Sequence, residues 1–188
     1  MGHPPLETEL KIPVPGLEPV RAALRGLKAE EVHHMAREVN VLLDTEDDRL
    51  QASGRALRLR RYGDRHLLTL KGPVSYRGTI KVRQENEVEV EDAERLQTIL
   101  EDLGFSTVVR YEKDRETWRI GRIIIVLDHT PMGDFVEVEG PPEEIEATAS
   151  AIGLDPERAV RGSYLSLWQV HRQRHPEDHL PADMVFPK

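Results

Sequence analysis

The residues best placed to do chemistry come almost first in the chain, where Glu7, Glu9 and Lys11 alternate with Thr8 and Leu10. In a strand, residues two apart share a face and lie roughly 6–7 Å apart, whereas in a helix they diverge by about 200° around the axis. The three charges therefore converge only if the stretch is extended. Such a row suits water as a solvated strand face, and it equally suits a divalent cation held beside an anionic group. Similar rows recur downstream. Arg58 and Arg60 lie opposite Leu57 and Leu59, and Lys71 shares a face with Thr69. Lys81, Arg83, Glu85, Glu87 and Glu89 form a charged row opposite Ile80, Val82, Val88 and Val90, with Gln84 and Asn86 interrupting the apolar side. Lys113 and Arg115 share a face, as do Glu137 and Glu139, and Asp128 ends an apolar run.

These rows need strands to position them. The first strand is expected to end near Ile12, stopped by Pro13, Pro15 and Gly16, and a helix follows over 17–27 with Val20, Leu24 and Leu27 in helical register. A strand is expected over 39–45. His33 and His34 precede it, and adjacent histidines point to opposite sides of a strand, so they do not share a metal. Residues 56–62 and 66–72 read as a hairpin about Gly63-Asp64. The run 79–90 is the longest strand candidate, extending about 40 Å at about 3.4 Å per residue. Asp92 caps a helix over 93–103 that ends at Gly104. Strands are then expected over 108–119, 122–128 and 134–140, followed by helices from Pro141 to Ile152 and from Ser163 to His171. His171 and His175 have the helical spacing of metal ligands but lack a third, which favours a surface or helix-end role. Residues 176–188 read as an irregular tail behind one domain spanning 1–175.

Composition narrows the classes. A chain of 188 residues suits one domain with a sizeable core. With no cysteine, thiolate zinc sites, disulfides and cysteine nucleophiles are excluded. Lys and Arg number 26 against 34 Asp and Glu, a formal net charge of -8, which disfavours a general nucleic-acid-binding surface. No apolar run approaches the roughly 20 residues of a membrane helix, and no secretory pattern opens the chain. Met1-Gly2 looks like a myristoylation start, but Leu6 stands where Ser or Thr is expected. The reading is a cytoplasmic protein without nucleic-acid or membrane partners, as a monomer or homodimer.

Charge on one face of so many strands poses a structural choice. Either an ordinary sheet turns these faces to water and packs its other face on helices, or the sheet closes around a polar interior. Burying so many charges without a counter-ligand would be prohibitive, since each unpaired ion costs several kcal/mol. A hydrated tunnel that holds metal and polyphosphate resolves the balance. Here the chain resembles the CYTH family of triphosphate tunnel metalloenzymes, which includes class IV adenylyl cyclases and thiamine triphosphatases. The resemblance begins with Glu-x-Glu-x-Lys at Glu7, Glu9 and Lys11. It continues through Asp44-Thr45, the 56–60 strand, Thr69-Leu70-Lys71-Gly72-Pro73, the 81–87 strand and Arg110-Tyr111-Glu112-Lys113-Asp114-Arg115. Leu127-Asp128 and the 133–139 strand follow, and it ends near Ser163-Tyr164.

The resemblance implies an α+β fold: a closed antiparallel barrel of about eight strands, open at both ends, with helices outside. It implies phosphate held by Lys11, Arg58, Arg60, Lys71, Lys81, Arg83, Lys113 and Arg115, with arginine suited to bidentate contact and lysine acting as a point charge. It implies Mg²⁺ or Mn²⁺ bound by Glu7, Glu9, Asp128, Glu137 and Glu139, with Glu85 and Glu87 joining Lys11 in catalysis by binding metal or steering the cations. No P-loop sequence is present. The expected activity is hydrolysis of tripolyphosphate, thiamine triphosphate or a nucleoside triphosphate. The alternatives are cyclisation of ATP to cyclic AMP and pyrophosphate, or polyphosphate or nucleotide binding without turnover.

Overall fold

The computed structural model describes residues 6–187; the myristoylation-like start at Met1-Gly2 lies outside the described residues. The strands are β1 (Leu6–Val14), β2 (Glu30–Thr45), β3 (Ala56–Tyr62), β4 (Arg65–Arg77), β5 (Ile80–Glu89), β6 (Phe105–Ile120), β7 (Ile123–Thr130) and β8 (Gly133–Glu139). The helices are α1 (Glu18–Gly26), α2 (Arg49–Ala52), α3 (Ala93–Asp102), α4 (Pro142–Ala151) and α5 (Tyr164–Arg174). All eight strands are antiparallel and close on themselves in the order β1-β5-β4-β3-β2-β6-β7-β8. The closed barrel that the resemblance implies is thus the barrel found.

Its core is outside its wall. Leu10, Ile12, Ile80, Val82, Ile125, Leu127, Val136 and Val138 point outward and are buried beneath Val20 and Leu24 of α1 and Ile145 and Ala149 of α4. Leu43, Leu57 and Leu59 meet Leu100 of α3 on another side. The side chains between them face inward, and most of these are charged, as Lys11, Arg58, Lys81 and Glu137 are, although β7 places Val126 there. Period-2 alternation and amphipathic helices thus agree on one arrangement, with apolar groups under helices and charges in the tunnel.

Several boundaries differ from expectation, each for a physical reason. β1 runs through Pro13 to Val14 instead of ending at Ile12. Lys11 turns its carbonyl away from β8, where it accepts the Val160 N–H, so Pro13, two residues on, faces the same side. β5 pairs with β1 only as far as Glu9, and the missing N–H of Pro13 therefore costs no ladder bond. β2 begins at Glu30, nine residues before the expected Val39, and includes His33 and His34. That stretch lacks apolar alternation, and its extended form follows from pairing with β6, from Glu30 opposite Arg119 onward. β4 likewise continues past Gly72-Pro73 to Arg77, through an irregularity between Lys71 and Val74.

Two local devices fix the ends of the wall. Asp44 accepts the backbone N–H groups of Thr45, Leu50 and Gln51, which pins α2 to the end of β2. Gly140 leaves β8 with φ +150, and a Cβ there would stand 2.6 Å from Ile123 Cδ1. Glycine alone fits this exit, immediately after Glu139. Behind α5 the chain makes a 3₁₀ turn at Pro176–Asp178 and then an extended stretch whose Met184 pairs in parallel with Tyr111. The expected irregular tail thus has little regular structure, yet Met184 is fully buried against the barrel.

Candidate active site

The barrel interior forms a cavity of about 350 Å³. β1 sends Glu7, Glu9 and Lys11 into it, and β8 sends Glu137 and Glu139. From β3 come Arg58 and Arg60, from β4 Lys71, from β5 Lys81 and Arg83, and from β6 Lys113 and Arg115. Register explains the convergence: Arg83 lies opposite Glu7, Lys81 opposite Glu9, Glu139 opposite Glu9 and Glu137 opposite Lys11.

The acidic residues divide into two groups. Glu7, Glu9 and Glu139 offer carboxylate oxygens that all lie within 4.8 Å of one another. Burial, followed by the neighbouring charges of Glu7, Glu137 and Glu9, pushes Glu139 up to about 8. Burial and a hydrogen bond with Glu85 also raise Glu7. Carboxylates forced together until one holds its proton are what a divalent cation relieves, and an all-oxygen donor set suits a hard ion. The orphaned, buried Oε2 of Glu7 fits the same ligand role.

Asp128 and Glu137 belong to the second group, and the structure does not bring them into that trio. Arg115 makes a bidentate contact with Asp128, at 2.7 Å to each oxygen. Asp128 Oδ2 also accepts from Lys113 at 3.1 Å and from the Tyr164 hydroxyl at 2.6 Å. Glu137 pairs with Lys11 at 3.0 Å and with Arg115 at 2.7 Å. Burial pushes the Glu137 carboxyl up, but Lys11, Arg115 and Lys113 outweigh it and hold the group well below the usual range. Both carboxylates therefore stand in ion pairs with cations. Glu85 binds Lys71. Glu87 sits at the exposed rim, accepting from Thr69 at 2.7 Å and lying 3.6 Å from Arg58.

Among the cations, Arg58 is buried between Thr69, at 3.2 Å, and the Tyr111 hydroxyl, at 3.5 Å. The Nε atoms of Arg58 and Arg60 have no hydrogen-bond partner. Lys81 pairs with Glu9 at 2.6 Å. Arg83 is only half-buried and donates to the Gly72 carbonyl. Burial, then the charge of Arg58, lowers the pKa of Lys71. Lys11 and Lys113 both stand over the Tyr164 ring, 4.1 and 4.7 Å from its centroid, and the hydroxyl of that ring holds Asp128.

Glu38 is a tunnel residue that the sequence reading missed. It is fully buried, 3.5 Å from Arg60 and 3.6 Å from both Lys113 and Arg115. Burial raises its pKa, but Arg60, Lys113, Arg115 and Arg58 together pull it well below the usual carboxylate range. Glu38 and Asn40 continue the alternation of Val39 and Val41, which was the available signal. The His171 and His175 rings lie tilted at 34° with centroids 4.4 Å apart, and His175 Nδ1 lies 2.9 Å from the His171 carbonyl oxygen. Neither joins the acidic trio.

The CYTH domain profile matches residues 5–158. A curated protein of Methanocaldococcus jannaschii named "putative adenylate cyclase" is 27% identical over 173 residues, covering 86% of this chain and 98% of the relative. A Vibrio parahaemolyticus structure with the same description superimposes with a TM-score of 0.79 at 21% identity, covering 90% of this chain and 99% of the other. A Hippeastrum structure, described as an adenylyl cyclase candidate with dominant triphosphatase activity, gives a TM-score of 0.67 at 17% identity, over 88% of this chain and 96% of that one. No described helix is long and apolar enough to cross a membrane. The closed barrel with its inward charges and the match over most of the sequence agree: this chain belongs to the CYTH domain family.

Proposed function

We propose that this protein is a divalent-metal-dependent enzyme that takes a triphosphate into the barrel and hydrolyses it, with tripolyphosphate, thiamine triphosphate or a nucleoside triphosphate as substrate. The observation that carries the reading is one cavity holding both the Glu7, Glu9 and Glu139 trio and the cations Arg58, Arg60, Lys113 and Arg115. Mg²⁺ or Mn²⁺ held by the trio would neutralise phosphate charge and orient the attacking group.

The protein's own side chains supply the rest. Arg58 and Arg60, each with an Nε that makes no hydrogen bond, bind phosphate oxygens by their planar forks. Lys11 and Lys113, held by Glu137 and Asp128, act as point charges along the chain of phosphates. Lys71, Lys81 and Arg83 extend this field towards the trio. Arg115, clamped by Asp128 and Glu137 through its Nε and Nη2, serves as the fixed wall of the site. Glu85 and Glu87 steer Lys71 and Arg58. Catalysis of this kind is positioning and charge stabilisation set in place before the substrate arrives.

Cyclisation of ATP is the second reading, favoured by the name of the Methanocaldococcus jannaschii relative. Hydrolysis needs only a water as nucleophile, and the Hippeastrum protein of the same fold is described with dominant triphosphatase activity. A product assay on purified protein separates the two. Phosphate released from tripolyphosphate, thiamine triphosphate or ATP with Mg²⁺ or Mn²⁺, and abolished by chelator, supports hydrolysis. Cyclic AMP with equimolar pyrophosphate replaces it with the cyclase. Silence on all three moves the protein to a binding role without turnover.

A further inference from the structure

The stretch behind α5 lies beyond the family match, which ends at residue 158, yet it completes the tunnel wall. β6 pairs with β7 only from Asp114 onward. Before that point, Arg110 and Glu112 would present unpaired backbone groups on the β7 side. The strap fills this gap: Glu112 N–H donates to the Met184 carbonyl at 2.7 Å, and Met184 N–H donates to the Arg110 carbonyl at 3.1 Å. Asp183 accepts the Arg110 N–H at 2.9 Å.

The strap is anchored at both ends. Trp168 and Arg172 of α5 donate to the carbonyls of Pro181 and Leu180. Beyond Met184, the Phe186 ring lies under the Arg37 guanidinium at 4.1 Å and against His129. Between these anchors Met184 is fully buried in a cluster with Tyr111, Phe135, Tyr164 and Trp168. Tyr111 thus has the strap behind it and Arg58 in front, its hydroxyl 3.5 Å from Arg58 Nη1. Thr69 holds the other Nη of Arg58 from β4.

We infer that the strap around Met184 is a working part of the phosphate site, with Tyr111 and Met184 as positioning residues that hold Arg58 in line. This rests on the reading of Arg58 as a phosphate ligand. A strand pairing that served stability alone would leave phosphate affinity untouched wherever the protein stays folded.

The test is a double-mutant cycle on the full-length chain, titrated with tripolyphosphate and Mg²⁺ well below the melting temperature. Tyr111→Phe and Met184→Ala each raise the Kd about five- to tenfold, the scale of one hydrogen bond to a charged group. The double variant does no worse than the weaker-binding single, because both act on Arg58. Met184→Leu restores wild-type affinity. Should Met184→Ala fail to fold, Phe186→Ala loosens the strap from its outer end and raises the Kd in its place. Folded strap variants that bind like wild type, or effects that add fully in the double variant, overturn the inference. Wild-type protein that binds no tripolyphosphate overturns the phosphate reading itself and the inference with it.

Discussion

Glu9 and Glu139 stand directly opposite one another across β1 and β8, and Glu7 brings a third carboxylate oxygen to within 4.8 Å of theirs. Like charges opposed in a ladder are destabilising. Lys81 offsets Glu9 at 2.6 Å, but Glu139 is left to hold a proton to about pH 8.

That proton must leave when a cation enters. Affinity for Mg²⁺ or Mn²⁺ should rise by about tenfold per pH unit below 8 and level off above it, with one proton released per ion. Calorimetry in buffers of different ionisation enthalpy measures both quantities, and a flat profile with no proton release would detach Glu139 from the metal. Without metal the sign reverses. The raised Glu139 pKa gives a contribution to stability that is fully present below the unfolded value of about 4.5 and is lost as pH rises through 8.

Glu139→Gln removes the repulsion and the ligand together. The metal-free protein should melt higher, by about 2–4 °C for each kcal/mol of repulsion relieved, while metal-dependent turnover is lost. Scanning calorimetry beside a phosphate-release assay checks the pair. A lower melting temperature with intact activity would make Glu139 a structural acid.

Arg58→Ala should weaken triphosphate binding by about tenfold or more with the fold retained, and Arg58→Lys should not restore it, because an ammonium cannot reproduce the planar fork. Inhibition by tripolyphosphate gives the affinity. Full rescue by lysine would show that charge alone matters at this position.

Glu38 makes the opposite prediction, since it touches cations and not the acidic trio. Glu38→Gln leaves Arg60, Lys113 and Arg115 short of one buried counter-charge and should cost about 3–5 kcal/mol in urea unfolding. Tripolyphosphate should recover more stability in this variant than in wild type, because it replaces the missing negative charge. Equal stabilisation of both proteins would separate Glu38 from the phosphate-binding cations.

Alternation made most of the tunnel legible in the sequence. Arg58 and Arg60 against Leu57 and Leu59, or Lys81 and Arg83 against Ile80 and Val82, show their inward and outward faces without any structure. Glu38 was hidden because residues 30–38 have no apolar row, and their strand exists only through pairing with β6. Asp128 and Glu137 were readable as inward acids, but a carboxylate beside a cation and a carboxylate beside a metal look alike until distances separate them. The strap at Met184 left no periodic trace, since two backbone hydrogen bonds, a handful of side-chain anchors and one buried side chain hold it without any alternation.

Closure through β1 also sets an order of assembly. The first strand lies between β5 and β8, so Glu9 meets Glu139 across more than two-thirds of the chain. During synthesis, at about 5–20 residues per second, β2 to β5 can pair as successive hairpins while β1 has no complete seat. The N-terminal strand is then the last stave of the barrel, and its outward Leu10 and Ile12 have only α1 over them until β8 and α4 emerge. A nascent chain stalled before residue 133 should therefore be open to protease at β1, and cation binding should begin only once the barrel has shut.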